Sequence, residues 1–142
     1  MSGRTVLGFD YGSQWIGVAS GQTVTGTATP LKALRARDGI PDWAEVERLL
    51  QEWRPAVVVV GLPLNMDGSP SDLSQRADKF GRRLHGRFGV EVVYWDERLS
   101  SFEARGEIMS RSHTRSFKQA GVDSLSARLI LESWLRERGA EG

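Results

Sequence analysis

TVLGFDYGSQWIGVAS, residues 5–20, holds two short apolar runs, Thr5 to Phe9 and Ile16 to Ser20, separated by Tyr11-Gly12-Ser13. Short runs bounded by Gly and Ser read as strands joined by turn chemistry, so the segment predicts a β-hairpin whose first strand ends at Asp10. Thr23 to Leu34 follows, rich in Thr and almost uncharged, and fits a third antiparallel strand. Pro30 donates no ladder hydrogen bond and confines its position to an edge or a strand end. The first three strands form a meander.

Beyond the meander the period changes. Trp43, Val46, Leu49, Leu50 and Trp53 recur at helical spacing after Pro41-Asp42, where Asp42 is placed to cap an amphipathic helix. Ala56 to Gly61 carries Val57-Val58-Val59-Val60, a β-branched run suited to a central parallel strand buried on both faces. Leu73, Ala77, Phe80, Leu84 and Phe88 line one helical face, while Arg76, Lys79, Arg83 and Arg87 lie along another. Val90 to Trp95 is a further strand, and Ser100 with Glu103 forms a capping-box pattern for a short helix. A last helix is expected from near Val122, carrying Ala127, Ile130, Leu131 and Trp134. An antiparallel meander followed by helix, parallel strand, helix, parallel strand and C-terminal helices resembles the RNase H-like order of elements. The expectation is an α/β domain with a five-stranded mixed sheet flanked by helices.

The chain has 142 residues, enough for one domain over 1–142 that buries roughly 68–70% of its unfolded surface. Apolar residues at 39% and charged residues at 26% are ordinary globular usage, which excludes a disordered tail. No apolar stretch approaches the ~20 residues of a membrane span. The N-terminal apolar run meets Asp10 at once, so no secretory leader core forms, and a cytoplasmic protein is expected. Nineteen Lys and Arg against eighteen Asp and Glu give a net charge of +1, so any affinity for a polyanion must be local. With no cysteine, any metal must be held by oxygen or imidazole.

The candidate chemistry lies in carboxylates. Asp10 ends the first strand, Asp96-Glu97 follows the fifth, and Asp123 opens the last helix one turn before Ala127, on its sheet-facing side. Residues outside the carboxyl ends of parallel strands tend to share one crevice. Two carboxylates ~4 Å apart at an effective dielectric of ~20 repel by about 4 kcal/mol, so a converging cluster calls for a cation or raised pKa values. Hard oxygen donors favour Mg²⁺ or Mn²⁺, which activate water and stabilise the leaving oxygen of a phosphodiester. Asp10, Glu97 and Asp123 are the candidate catalytic residues, and the candidate metal ligands are those three with Asp96. Singly, each acid also has a structural role open to it: turn residue, strand terminator, partner of Arg98 or helix cap. Asp67, in an Asp-Gly turn pair within Gly61 to Gly68, is a weaker fifth candidate.

Between Ser110 and Gly121 stand Arg111, His113, Arg115 and Lys118 with Phe117 among them and no acidic residue. A basic loop of this kind suits phosphates, with Arg111, Arg115 and Lys118 as nucleic-acid contacts, although a solvated loop has the same composition.

Gly8-Phe9-Asp10-Tyr11-Gly12 with Ile16-Gly17-Val18-Ala19, Val60-Gly61-Leu62-Pro63, Asp96-Glu97-Arg98-Leu99-Ser100 and Val122-Asp123-Ser124 occur in order along nearly the whole chain. Together they resemble the YqgF family of bacterial proteins, also called RuvX-like. The resemblance implies an RNase H-like fold and a metal-dependent nuclease in which Asp10, Glu97 and Asp123 match the presumed catalytic acids. It implies two substrates, the 5′ end of precursor 16S ribosomal RNA, with pre-ribosomal particles as partners, or a four-way DNA junction. Many relatives carry a basic residue where this chain has Trp15.

Two rivals come from other classes. Actin-like and sugar-kinase ATPases also carry Asp-x-Gly between two strands, but they close a cleft between two such domains and this length supplies one. A noncatalytic RNA-binding module of ribosome assembly would keep the acids as structural remnants. Symmetric junction cutting calls for a two-fold dimer, whereas trimming an RNA end needs only the monomer expected here.

Overall fold

The structure is a computed structural model that describes the backbone of residues 3–99 and 116–141, with side chains described over 3–98 and 124–138. The elements are β1 (Thr5–Asp10), β2 (Trp15–Gln22), β3 (Thr27–Arg37), β4 (Ile40–Pro41), α1 (Trp43–Trp53), β5 (Val57–Leu62), α2 (Asp72–Phe88), β6 (Val92–Asp96), a 3₁₀ turn at Glu97–Leu99 and the last helix, α3 (Ser116–Glu141).

The strands form one mixed sheet in the order β4-β3-β2-β1-β5-β6. β1 to β3 pair antiparallel as the expected meander, β4 adds to it antiparallel, and β1, β5 and β6 are parallel. β1 and β5 are central, and the valines of β5 are buried on both faces. Pro30 pairs with Ala19 of β2, while β4 reaches only Ala36 and Arg37 on the other side of β3. The missing Pro30 donor therefore lies where β3 is the sheet edge.

Alternation along the strands splits the core into two layers. Leu7, Phe9, Val58 and Val60 pack with α1 and α2 through Val46, Leu50, Ala77, Phe80 and Leu84. Val6, Val57 and Val59 pack with α3 through Ala127, Ile130, Leu131 and Leu135. α3 lies close against the sheet because glycines face it. A Cβ on Gly8 would stand 3.0 Å from Leu131 Cβ and 3.3 Å from the Ala127 carbonyl oxygen.

Asp42 caps α1 as the sequence predicts, its carboxylate accepting the Ala44 N–H at 3.0 Å. α2 opens on a reciprocal Ser71/Ser74 capping box and ends at Gly89 in the left-handed region (φ 70°).

Four expectations are corrected. The sheet has six strands rather than five, because Asp38 and Gly39, both at positive φ (50° and 81°), form a two-residue turn that pairs Arg37 with Ile40. β3 begins at Thr27, since Thr23 to Gly26 makes the turn out of β2, with Gly26 at φ 68°. α3 begins at Ser116 rather than near Val122, so Phe117 and Lys118 belong to a helix and not to a loop. Leu73, assigned to the packed face of α2, is exposed. The capping box at Ser100 and Glu103 lies outside the described residues.

Candidate active site

The side chains of β1 that face α3 are those at Val6, Gly8 and Asp10, so half-buried Asp10 ends the row over which α3 lies. Phe9 pairs with Val60 in parallel register, which sets Asp10 beside Gly61 on the neighbouring strand. Glu97 occupies the space over Gly61: a Cβ there would stand 3.0 Å from Glu97 Cγ, 3.2 Å from its Cδ and 2.6 Å from Ile130 Cδ1. Adjacent strands are ~4.8 Å apart, so the two acids are neighbours on one face at one end of the sheet. Glu97 is only 4% exposed. A carboxylate held that far from water is stable only where charge or hydrogen bonds meet it.

α3 delivers the third position. Ser124 donates its hydroxyl to the Leu31 carbonyl at 2.5 Å and accepts the Val18 N–H at 3.5 Å, and Val18 is the partner of Phe9. Further along, Leu131 covers Gly8 and Leu135 covers Gly21. Gly21 pairs with Val6, so α3 runs antiparallel to β1. Its Ser124 end is the end nearest Asp10, and Asp123 is the preceding residue of the helix. The side chain of Asp123 lies outside the described residues. So do Arg111 and Arg115 entirely, and the side chain of Lys118. Among the described residues there is no group of three potential metal ligands, and Asp10 and Glu97 are the two of the proposed set that the structure brings together.

Asp96 stands apart from them. Trp95 points toward α3, its indole N–H donating to Ser133 Oγ at 3.2 Å, whereas Tyr94 points toward α2 and donates to the Asp78 carbonyl at 3.0 Å. Strand alternation puts Asp96 on the Tyr94 side. There the Arg98 guanidinium grips it through Nε at 3.0 Å and Nη2 at 2.6 Å. Arg98 also donates to the Met66 carbonyl at 3.0 Å. Asp96 and Arg98 therefore tie the end of β6 to the β5–α2 connection. This pairing holds the guanidinium pKa above its ordinary value, chiefly through the hydrogen bond to Asp96.

That connection is ordered by its own side chains. Asp67 accepts the Ser69 N–H at 2.9 Å and the Ser69 hydroxyl at 2.6 Å. Hydrogen bonds from Ser69 hold the Asp67 carboxyl below its usual range. Asp67 thus serves the turn. Ser71 donates to the Pro63 carbonyl at 2.6 Å and fixes the loop to the start of α2.

At the other flank Trp15 pairs with Arg35 across β2 and β3, and the Arg35 guanidinium lies 5.8 Å from the Trp15 ring centroid. A cation therefore stands beside the position where the sequence lacks one. Sequence reasoning did not find Arg35; strand pairing with Trp15 is tertiary information.

Asp10 thus lies at the carboxyl end of central β1 and Glu97 just past that of β6, the edge strand. The family model described as "RuvX: Holliday junction resolvase" matches residues 4–137. A protein of Actinobacillus succinogenes named "Putative pre-16S rRNA nuclease" is 58% identical over 135 residues, covering 95% of this chain and 96% of its own. One of the same name from Azotobacter vinelandii is 55% identical over 141 residues, covering 99% of each. Among solved structures, T. thermophilus RuvC in complex with a Holliday junction substrate superposes with a TM-score of 0.57 at 16% identity, over 96% of both chains. The yeast mitochondrial Holliday junction resolvase Ydc2 gives 0.51 at 11% identity, over 94% of this chain and 78% of its own. At that identity the likeness concerns the fold, which is of the RuvC and RNase H type. With a family match that spans most of its length, the chain belongs to the RuvX family.

Proposed function

We propose that this protein is a metal-dependent nuclease that hydrolyses phosphodiester bonds in the 5′-end maturation of precursor 16S ribosomal RNA. The observation that carries the reading is the placement of Glu97 over Gly61, beside Asp10, at the end of the sheet where α3 begins.

The donor set fits the metal. Two carboxylates on one face, with Asp123 on the adjoining helix, offer the hard oxygen ligands that Mg²⁺ or Mn²⁺ prefer. When bound, such ions polarise the phosphate and assist both the attacking and the leaving oxygen. Asp10 and Glu97 hold this charge in place, because one is fixed by the β1 ladder and the other by the glycine beneath it. α3 closes the face and keeps water from the buried side of Glu97. Asp96 acts differently, as an anchor for the β5–α2 loop through Arg98.

Ribosomal RNA processing is supported by the names of relatives at 55–58% identity. A second reading, cutting of four-way DNA junctions, is supported by the family description and by the RuvC fold. We favour the RNA reading, with the protein acting as a monomer in the cytoplasm on naked precursor or on a pre-ribosomal particle. No helix among the described residues is long and apolar enough to cross a membrane.

The test is cleavage of labelled precursor 16S RNA and of a synthetic four-way DNA junction by the purified protein, with Mn²⁺, Mg²⁺ or EDTA. Metal-dependent trimming of the RNA is expected. Symmetric cutting of the junction by a dimer would replace RNA maturation by junction resolution.

A further inference from the structure

On the face of the sheet opposite the acids there is a cavity of about 220 Å³ between α2 and the β3–β4 turn. Its floor is aromatic: Phe80 lies 5.3 Å from Tyr11 and 6.1 Å from Trp43 between ring centroids, the latter pair stacked. Its rim is basic, carrying Arg76, Lys79 and Arg83 from one face of α2. Asp38 is the one acidic residue in the lining, and it is already engaged. Arg76 donates to its carbonyl at 2.7 Å and to its carboxylate at 3.0 Å. Among the described residues Lys79 and Arg83 take part in no ion pair. Three cations against one anion leave two positive charges at the mouth.

The position of the cavity matters more than its charge. Tyr11 follows Asp10 directly, and strand alternation sends the two side chains to opposite faces of the same strand end. The Tyr11 hydroxyl donates to the Gly39 carbonyl at 2.9 Å. Gly39 N–H in turn donates to the Ser13 carbonyl at 2.8 Å, and Ala36 N–H to that of Gln14 at 2.8 Å. The basic rim is thus fixed to the connection that leaves Asp10. The acids and the cavity therefore lie on opposite faces of one strand end, and a strand that meets both passes around that end of the sheet.

We propose that the cavity bounded by Arg76, Lys79 and Arg83 is a second nucleic-acid site, which holds a backbone phosphate of the substrate strand away from the bond that is cut. Lys79 and Arg83 supply the two free cations, and Arg76 keeps Asp38 from neutralising them. The inference rests on the nuclease reading for its geometry, but binding can be measured without cleavage.

The test is fluorescence anisotropy of labelled single-stranded RNA in EDTA, across a salt series, with wild type, Lys79→Ala/Arg83→Ala and Arg48→Ala. Lys79 and Arg83 are exposed, so the double variant should fold, and a melting curve checks that it does. Each lost phosphate contact lowers the slope of log affinity against log salt by ~0.7 on a single strand. The double variant is expected to bind more weakly on every sequence, with a slope reduced by ~0.7. Arg48→Ala, on exposed α1 surface away from the cavity, is expected to bind as wild type does. Unchanged affinity and slope in the double variant would overturn the proposal, as would an equal loss in Arg48→Ala. Loss of cleavage in Asp10→Asn with normal binding by Lys79→Ala/Arg83→Ala leaves the nuclease and removes this site. Undiminished cleavage in Asp10→Asn with weakened binding by the double variant does the reverse.

Discussion

Gly61→Ala tests the contact on which the active-site geometry rests. The added methyl would stand 2.6 Å from Ile130 Cδ1 and 3.0 Å from Glu97 Cγ. Carbon atoms rest ~3.5–4.0 Å apart, so the isoleucine methyl must give by about 1 Å and the glutamate by about 0.5 Å. Overpacking of this kind costs ~1–3 kcal/mol, and a folded but less stable protein is expected. The effect on catalysis should be larger than the strain suggests. A misplacement of ~1 Å lowers rates ~10²-fold, so a shift of half that size is expected to lower cleavage about tenfold. Ile130→Val removes the closer obstacle and leaves Glu97 where it is. The double variant Gly61→Ala/Ile130→Val should therefore regain part of the stability and none of the rate. Urea denaturation measures the first, and single-turnover cleavage with Mn²⁺ the second. Full activity in Gly61→Ala, or a rate that recovers with stability in the double variant, would refute the role given to Glu97.

Three further predictions follow from contacts elsewhere. Burial lifts the Tyr94 phenol from 10.0 to about 12, so the folded state favours its neutral form. This stability is complete below pH 10 and lost as pH rises through 12; alkaline denaturation of Tyr94→Phe should be less steep than that of wild type, and equal slopes would contradict it. Ser124→Ala leaves the Leu31 carbonyl and Val18 N–H without their shared hydroxyl; a loss of ~1–3 kcal/mol by urea denaturation is expected, with slower cleavage because the same turn of α3 carries Asp123. Asp96→Asn and Arg98→Ala both release the β5–α2 loop. Each should raise KM in the cleavage assay while leaving metal-dependent activity measurable, and the double variant should be no worse than either single one.

The sequence carried the meander, the buried valine strand and the two amphipathic helices, because hydrophobic period reports directly on which side of an element is buried. It also offered the acids as candidates, of which the structure sets Asp10 and Glu97 side by side. What it did not carry was their sorting. Asp96 and Glu97 are adjacent, and telling them apart needs the facing of β6. Val92 to Trp95 is apolar throughout, so its alternation could not be read from composition. Only the partners of Tyr94 and Trp95, on α2 and α3, separate the faces. The fourth strand was legible in principle, since Asp38-Gly39 is a strong turn pair, but two residues of strand leave almost no pattern. The start of α3 was missed for a different reason. Gly121 and the segment before it look like a loop, yet the helix already runs through 116–121. The basic face of α2 was visible as a stripe, while its meeting with Tyr11 and Asp38 depends on how β3 and β4 turn back over the sheet.

The proposed nuclease chemistry rests on carboxylates on the α3 face of the sheet. Its most direct test compares wild type with Asp10→Asn in single-turnover cleavage of precursor 16S RNA, each with Mn²⁺ and with EDTA. Cutting is expected only from wild type with metal, and Asp10→Asn is expected to fold and bind RNA without cutting. Equal cleavage by both proteins, or cleavage by wild type that EDTA leaves intact, would contradict it.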